Sequence, residues 1–175
     1  MSQPIVVRDI RPEEFPVLGQ LLVGVYSGLE DFPTPAQQPR YYEMLAHIGD
    51  FTQKKGAQVL VALIDSELVG GVVYLGDMAE YGAASVATAI KNASGIRLLG
   101  VSPSARGRGV GKVLTEACIT LAREQGREQV VLHSTEAMRV AWSMYERMGF
   151  QRAPEIDFLQ AALPVFGFRL ALGEE

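Results

Sequence analysis

The sequence has one cysteine, two histidines and no long apolar run. A single thiol excludes an internal disulfide. Cys118 falls on the apolar side of a helical pattern, so it reads as inert core rather than as a nucleophile. His47 and His133 have no partners at ligand spacing, which leaves no metal centre to expect. Without an apolar stretch of ~20 residues or an apolar leader, neither a membrane span nor secretion is expected, and a cytoplasmic protein is the default. An excess of basic residues is also missing. The 16 Lys and Arg stand against 20 Asp and Glu, a formal net charge of −4, which argues against nucleic acid as the main partner. No repeat, low-complexity tract or linker divides the 175 residues. One domain over 1–175, large enough to bury a core, is expected.

What the chain does have is glycine and positive charge concentrated in one place. Residues 96–111 read IRLLGVSPSARGRGVG. Ile96, Leu98, Leu99 and Val101 are strand formers, and Pro103 ends the run because it has no ladder donor. Arg106-Gly107-Arg108-Gly109-Val110-Gly111 follows, and then a helical pattern of Val110, Val113, Leu114, Ala117, Cys118 and Leu121. Glycines let backbone approach a ligand closely and let several N–H groups point one way. A helix start carries unpaired N–H donors and the positive end of a dipole, so acids belong there. Instead Arg106, Arg108 and Lys112 crowd it, and no acid occurs before Glu116. A phosphate or pyrophosphate in the turn makes sense of that charge; the alternative is a basic surface turn. A P-loop is excluded, because the glycine spacing is one residue short and Val113 stands where a magnesium-binding hydroxyl is required. A dinucleotide fingerprint is excluded too, since Gly107, Gly109 and Gly111 give G-x-G-x-G.

Elsewhere the pattern is that of an α/β chain. Ile5 to Ile10 reads as a strand, followed by a helix with Phe15, Leu18, Leu21, Leu22 and Val25 inward. A loop over 30–39 precedes a second helix from Tyr41 to Lys55. Gln58–Ile64 and Leu68–Leu75 form a hairpin about Asp65-Ser66-Glu67, with Gly70-Gly71 marking a bulge or a close approach. Residues 76–94 form a long connection of small residues, with a short helix near Ala83 to Ile90. After the helix that ends near Gln125 and Gly126, Gln129–His133 is a buried strand. The next helix is capped by Ser134 or Thr135, with Ala137, Val140, Ala141, Met144 and Met148 inward. Met138, Trp142 and Tyr145 form the stripe beside them. Phe150 opens a further strand, and Val165–Leu172 is the last. Strand, glycine loop, helix and strand imply a parallel pair with a right-handed crossover; the hairpins imply antiparallel neighbours.

Arg106, Gly109 and Gly111 satisfy R-x-x-G-x-G. Ala141, Tyr145, Gly149 and Phe150 satisfy A-x-x-x-Y-x-x-x-G-F about thirty residues on. Together these resemble the two signatures of the GNAT-type N-acyltransferase superfamily, specifically over residues 96–150. The resemblance implies a mixed, mostly antiparallel sheet of about six to seven strands with helices on both faces. It also implies a central parallel pair that splays beyond Val101 and His133 to admit the pantetheine arm of acetyl-CoA. It implies that the amides of Arg106, Gly107, Arg108, Gly109, Val110, Gly111 and Lys112 hold the pyrophosphate. By the same resemblance, Leu99, Gly100 and Val101 pair with pantetheine, and the Val101 N–H is the oxyanion donor. Tyr145 is then the general acid at the departing sulfur; the alternative is a packing tyrosine beside Trp142. The acceptor is a primary amine of a small molecule, peptide or protein. A homodimer is left open, as is a non-catalytic acyl-CoA-binding module on the same fold.

Two positions depart from the resemblance. Met138 stands where many relatives have asparagine against pantetheine. No acid stands near Gly95 or Arg97, where many carry a glutamate base. Glu30, Asp31, Asp77, Glu80 and Glu136 are candidates elsewhere, and each reads equally as a solvated surface acid. His133, at the end of a strand facing the cleft, is either a structural histidine or part of a proton relay. A base matters, because keeping a lysine-like amine neutral at pH 7 costs ~4–5 kcal/mol.

Overall fold

Alternating apolar residues build the centre of the sheet. In β2 (Ala57–Ile64) and β3 (Glu67–Leu75), Val59, Val61, Val73 and Leu75 face one side; Leu60, Ala62, Val72 and Tyr74 face the other. That is the period of two of a strand. The connecting turn is Asp65-Ser66, with φ of 50° and 66°. Left-handed geometry at both central residues matches the twist of a two-residue hairpin, and Glu67 already pairs with Ile64. A Cβ on Gly71 would lie 2.5 Å from Leu18 Cδ1, which is the close approach expected of Gly70-Gly71.

The computed structural model describes residues 4–81 and 86–173. The remaining elements are β1 (Val6–Asp9), α1 (Phe15–Ser27), α2 (Pro39–Ala46), β4 (Ala93–Val101), α3 (Val110–Glu124), β5 (Gln129–Ser134), α4 (Arg139–Arg147), β6 (Gln151–Arg152), β7 (Phe158–Gln160) and β8 (Leu163–Ala171). The sheet order is β1-β2-β3-β4-β5-β8-β6, with β7 paired to β8. Among the described residues only β4 and β5 pair in parallel; α3 connects them. The eighth strand, beyond the six or seven expected, is β7, a short hairpin arm on β8.

Each face of the sheet carries its own core. On one, α1, α2 and the following 3-10 turn bury Leu18, Leu22, Leu45, Ile48 and Phe51. On the other, α3 and α4 bury Leu114, Cys118, Ala122 and Tyr145. Glu14 anchors the start of α1, taking both Arg8 guanidinium nitrogens at 2.8 Å and the Arg11 N–H at 2.9 Å. The Arg8 guanidinium is the main reason its carboxyl titrates low, at about 2. Among the described residues no helix is long and apolar enough to cross a membrane.

Three local expectations are corrected. The second helix stops at Ala46, because His47 leaves helical geometry (φ −103°, ψ 38°), and the chain resumes as a 3-10 turn over Ile48–Gln53. That switch keeps both Ile48 and Phe51 in the core. Neither Ser134 nor Thr135 caps α4. Ser134 stays in the ladder opposite Phe166, and Met138 takes the cap position. Val140 is 84% exposed; the buried side of α4 is set by Trp142, edge-on to Phe166 and Phe168, and by Tyr145 against Phe150. In the small-residue connection Val86–Ala89 forms a 3-10 turn; the start of the expected short helix lies outside the described residues.

Candidate active site

The site begins with an extra residue in β4. Gly71 pairs with Gly100 and Val73 with Arg97, so two steps along β3 match three along β4. The surplus is a bulge with Leu98 at φ 59°, a left-handed conformation that costs a non-glycine residue ~1 kcal/mol or more. Parallel pairing of β4 with β5 ends at Ile96 and Leu132. Beyond that point the strands part and a cleft of about 1400 Å³ opens. Leu99, Gly100 and Val101 line one side, and His133, Ser134 and Thr135 line the other.

The ladder fixes which way the β4 edge points. The Ser102 N–H donates to Val69 O at 2.7 Å, and Gly70 is the partner of Val101. In an antiparallel pair the groups alternate, so Val101 and Leu99 direct their N–H and C=O groups away from β3, into the splay. The Tyr26 hydroxyl from α1 donates to Leu99 O at 2.8 Å, which takes one of that carbonyl's two lone pairs.

The glycine loop closes the same cleft. Gly107 and Gly109 have φ of 79° and 84°, and a Cβ on either would meet nothing within 4 Å. These glycines serve backbone conformation and leave open space over the loop. The first turn of α3 has no side-chain cap and no acid among the described residues, so its first N–H donors are left for a ligand or solvent. Arg106, Gly107, Gly109, Val110, Gly111 and Lys112 line the cleft; Arg108 is exposed outside that lining.

Tyr145 and Met138 line the cleft from α4. Tyr145 is buried, and burial pushes its phenol well above the ordinary range. Its ring packs against Phe150 at 5.6 Å, on the side of α4 that borders the cleft. Of the candidate acids, Glu30, Asp31 and Glu136 sit exposed on the rim. Asp77 accepts from the Ala79 N–H, and Glu80 faces Lys54 at 4.0 Å.

The inner end of the cleft holds His133. Its Nε2 lies 2.7 Å from Ile156 O, and its Nδ1 lies 2.7 Å from the Tyr81 hydroxyl. A carbonyl only accepts, so Nε2 carries the proton and Nδ1 accepts from Tyr81. Burial holds the imidazole below its ordinary range. Tyr81 and Tyr26 line the cleft from segments with no motif to mark them, and Arg97 lines it from β4. The Ser134 and Thr135 hydroxyls are buried without partners among the described residues. Their position after a buried strand was visible in the sequence; their direction was not.

A family model described as the acetyltransferase (GNAT) family matches residues 22–150. Mycothiol acetyltransferase of Salinispora tropica is 43% identical over 58 residues, 33% of this chain and 19% of that protein. Probable N-acetyltransferase family 8 member 5 of Mus musculus is 43% identical over 54 residues, 31% of this chain and 24% of that one. The match thus spans 19% and 24% of the length of these two curated relatives. Among solved structures, the PaiA N-acetyltransferase of Thermoplasma acidophilum, in complex with coenzyme A, has a TM-score of 0.74 at 15% identity, covering 97% of this chain and 99% of that one. Ribosomal-protein-alanine N-acetyltransferase of Brucella melitensis has a TM-score of 0.69 at 17% identity, covering 95% and 99%. At such identities the likeness is one of fold.

Proposed function

This chain belongs to the acetyltransferase (GNAT) family, and from that premise we propose that it transfers an acetyl group from acetyl-CoA to a primary amine of a small molecule, peptide or protein. The observation that carries the reading is the continuity of two features. A strand edge that faces a splayed cleft leads, through a short 3-10 turn over Pro103–Ala105, into open glycines and an uncapped helix start.

The loop amides from Arg106 to Lys112 hold the diphosphate, with the Arg106, Arg108 and Lys112 side chains supplying countercharge. Leu99 and Val101 offer backbone groups to the pantetheine amides, while Gly100, whose backbone groups face β3, lines the cleft beside them without that role, and the Met138 side chain packs against the arm. The Val101 N–H donates to the thioester oxygen as negative charge collects there. Tyr145 serves the leaving sulfur. With its phenol pushed above the ordinary range and a thiol near ~8.5, complete proton transfer to a thiolate is uphill. Its general-acid role is therefore hydrogen-bond donation as the C–S bond breaks. Glu30 and Asp31 on the rim favour a cationic acceptor.

Calorimetry with coenzyme A, followed by a thiol-release assay over a panel of primary amines, tests the reading. Expected are CoA binding and turnover of at least one amine; absence of CoA binding overturns it. Gly95 and Arg97 in place of an acid favour one other reading, a module that binds acyl-CoA without catalysis. CoA binding with no turnover across the panel selects that reading.

A further inference from the structure

Amine acetylation needs somewhere for the ammonium proton to go. The acids of the cleft, Glu30, Asp31 and Glu136, are exposed at its rim. Among the described residues, the phenols of Tyr26 and Tyr81, the Arg97 guanidinium and the His133 imidazole line the inner end of the cleft. A Cβ on Gly95 would fall 2.5 Å from Tyr81 Cδ1 and 3.0 Å from Met78 Sδ. Tyr81 thus fills the volume into which a side chain at position 95 would project, and, though 1% exposed, it is among the residues that line the cleft. The Tyr81 hydroxyl lies 2.7 Å from His133 Nδ1, and His133 Nε2 is tied to Ile156 O at 2.7 Å. Phe158 packs edge-on against the imidazole at 4.9 Å. The ring is therefore fixed in one orientation with its one free lone pair aimed at Tyr81.

Resting on the acetyltransferase reading, we propose that Tyr81 and His133 form the proton relay of this site: Tyr81 Oη accepts a proton from the acceptor ammonium while its own proton passes to His133 Nδ1. The freed amine pair forms the C–N bond, the C–S bond breaks, and the electron pair leaves on sulfur. The second nitrogen proton ends on the thiolate, and the imidazolium returns its proton to solvent. One ammonium and one thioester give one amide, one thiol and one released proton.

The surroundings suit this role. Groups facing the imidazole are Tyr81 beyond the Met78–Glu80 turn, Arg97 from β4, Arg152 from β6 and Asp157 before β7. Arg152 and Asp157 pair with each other at 2.7 and 3.0 Å, so their effects largely offset. Burial lowers the imidazole's affinity for a proton, and the Nε2 bond to Ile156 O leaves Nδ1 as the accepting nitrogen. Arg97, whose guanidinium lies 5.7 Å from the Tyr81 ring centroid, adds positive charge to the cleft, which eases proton loss from a nearby ammonium.

The test is kcat/KM against pH for the unaltered protein, Tyr81→Phe and His133→Gln. It uses acetyl-CoA and the amine from the panel with the fastest turnover, with CoA affinity measured for each protein. Gln can keep both hydrogen bonds, and Phe keeps the ring over Gly95. The unaltered enzyme should be flat from about pH 6.5 to the pKa of the amine, because it uses the ammonium form. Each variant should bind CoA as before, lose about a hundredfold at pH 7, and climb tenfold per pH unit as it comes to depend on pre-formed neutral amine. A loss equal at every pH, or no loss, overturns the relay while leaving the acetyltransferase reading intact. Nitrogen NMR of the imidazole is the second readout. An Nε2-protonated ring that responds to Tyr81→Phe is expected. An Nδ1-protonated ring overturns the relay even if no amine is turned over.

Discussion

Gly109 separates a ligand-binding loop from a merely well-formed turn. It takes φ 84° at the N-cap of α3, and an added Cβ there meets nothing. Gly126, one residue past the other end of the helix cap, takes φ 72° with the same open space. Alanine at either position pays the same backbone strain, ~1–2 kcal/mol, and should lower the melting temperature by a few degrees, at ~2–4 °C per kcal/mol in a chain of this size. Coenzyme A tells them apart. Gly109→Glu sets a carboxylate over the loop where a diphosphate would lie. A unit charge ~4 Å from another in an environment of effective dielectric ~20 costs ~4 kcal/mol, or roughly a thousandfold in affinity. The expected calorimetry is a CoA dissociation constant unchanged in Gly126→Ala and raised by about three orders of magnitude in Gly109→Glu, with both proteins folded. Equal affinity in the two variants would refute the cradle, and with it the assignment of the loop.

Other outcomes follow from the same coordinates. Tyr145→Phe should leave CoA binding in place and reduce kcat about tenfold, less than His133→Gln, because a thiolate is a tolerable leaving group; a larger loss in steady-state kinetics would mean that sulfur needs the proton outright. Gly95→Ala should destabilise by about 1–3 kcal/mol in urea unfolding through overpacking against Tyr81, and a Tyr81→Ala background should erase most of that penalty. Glu14, held down to about 2 by Arg8, contributes stability that is present above its ordinary carboxylate pKa and lost as pH falls from ~4.5 towards 2. After solvent screening this is worth about 1 kcal/mol, so Glu14→Gln should show a flatter acid unfolding curve. Charge reversal of Glu30 and Asp31 together should raise KM for a cationic amine and leave CoA affinity unchanged; an unaltered KM would remove them from acceptor binding.

The parts of this molecule readable from sequence are those whose physics is local. Alternation in Val59–Ala62 and Val72–Leu75 specifies a two-faced hairpin. Glycines with basic neighbours and no acid specify an uncapped helix start, and the downstream Ala141–Phe150 signature fixes the second half of the unit. What depends on register stayed out of reach. Ser134 resembles a helix cap by type and position, but its backbone is claimed by Phe166 on β8, thirty-two residues later in the chain. Val140 sits at helical spacing from Ala137 and Met144, yet the aromatic contacts of Trp142 with Phe166 and Phe168 set the rotation of α4 and leave it outside. Tyr81 carried no signal at all, because its partners Gly95 and His133 meet it only through the fold.

The bulge at Leu98 links these levels. A regular β4 would continue the ladder with β3 at one residue per residue, so the faces and edges of Leu99, Gly100 and Val101 would be exchanged. The extra residue shifts their phase and turns the Leu99 and Val101 groups toward β5. Because β5 has by then lost its pairing beyond Leu132, those groups meet a cleft instead of a neighbour. The Tyr26 hydroxyl on Leu99 O satisfies one of them, which limits the desolvation cost of an open strand edge. The left-handed strain at Leu98 and the unpaired edge would be defects in a sheet built only for stability. Their coincidence with the glycine loop, in one continuous cleft, is what makes this end of the sheet a place for chemistry.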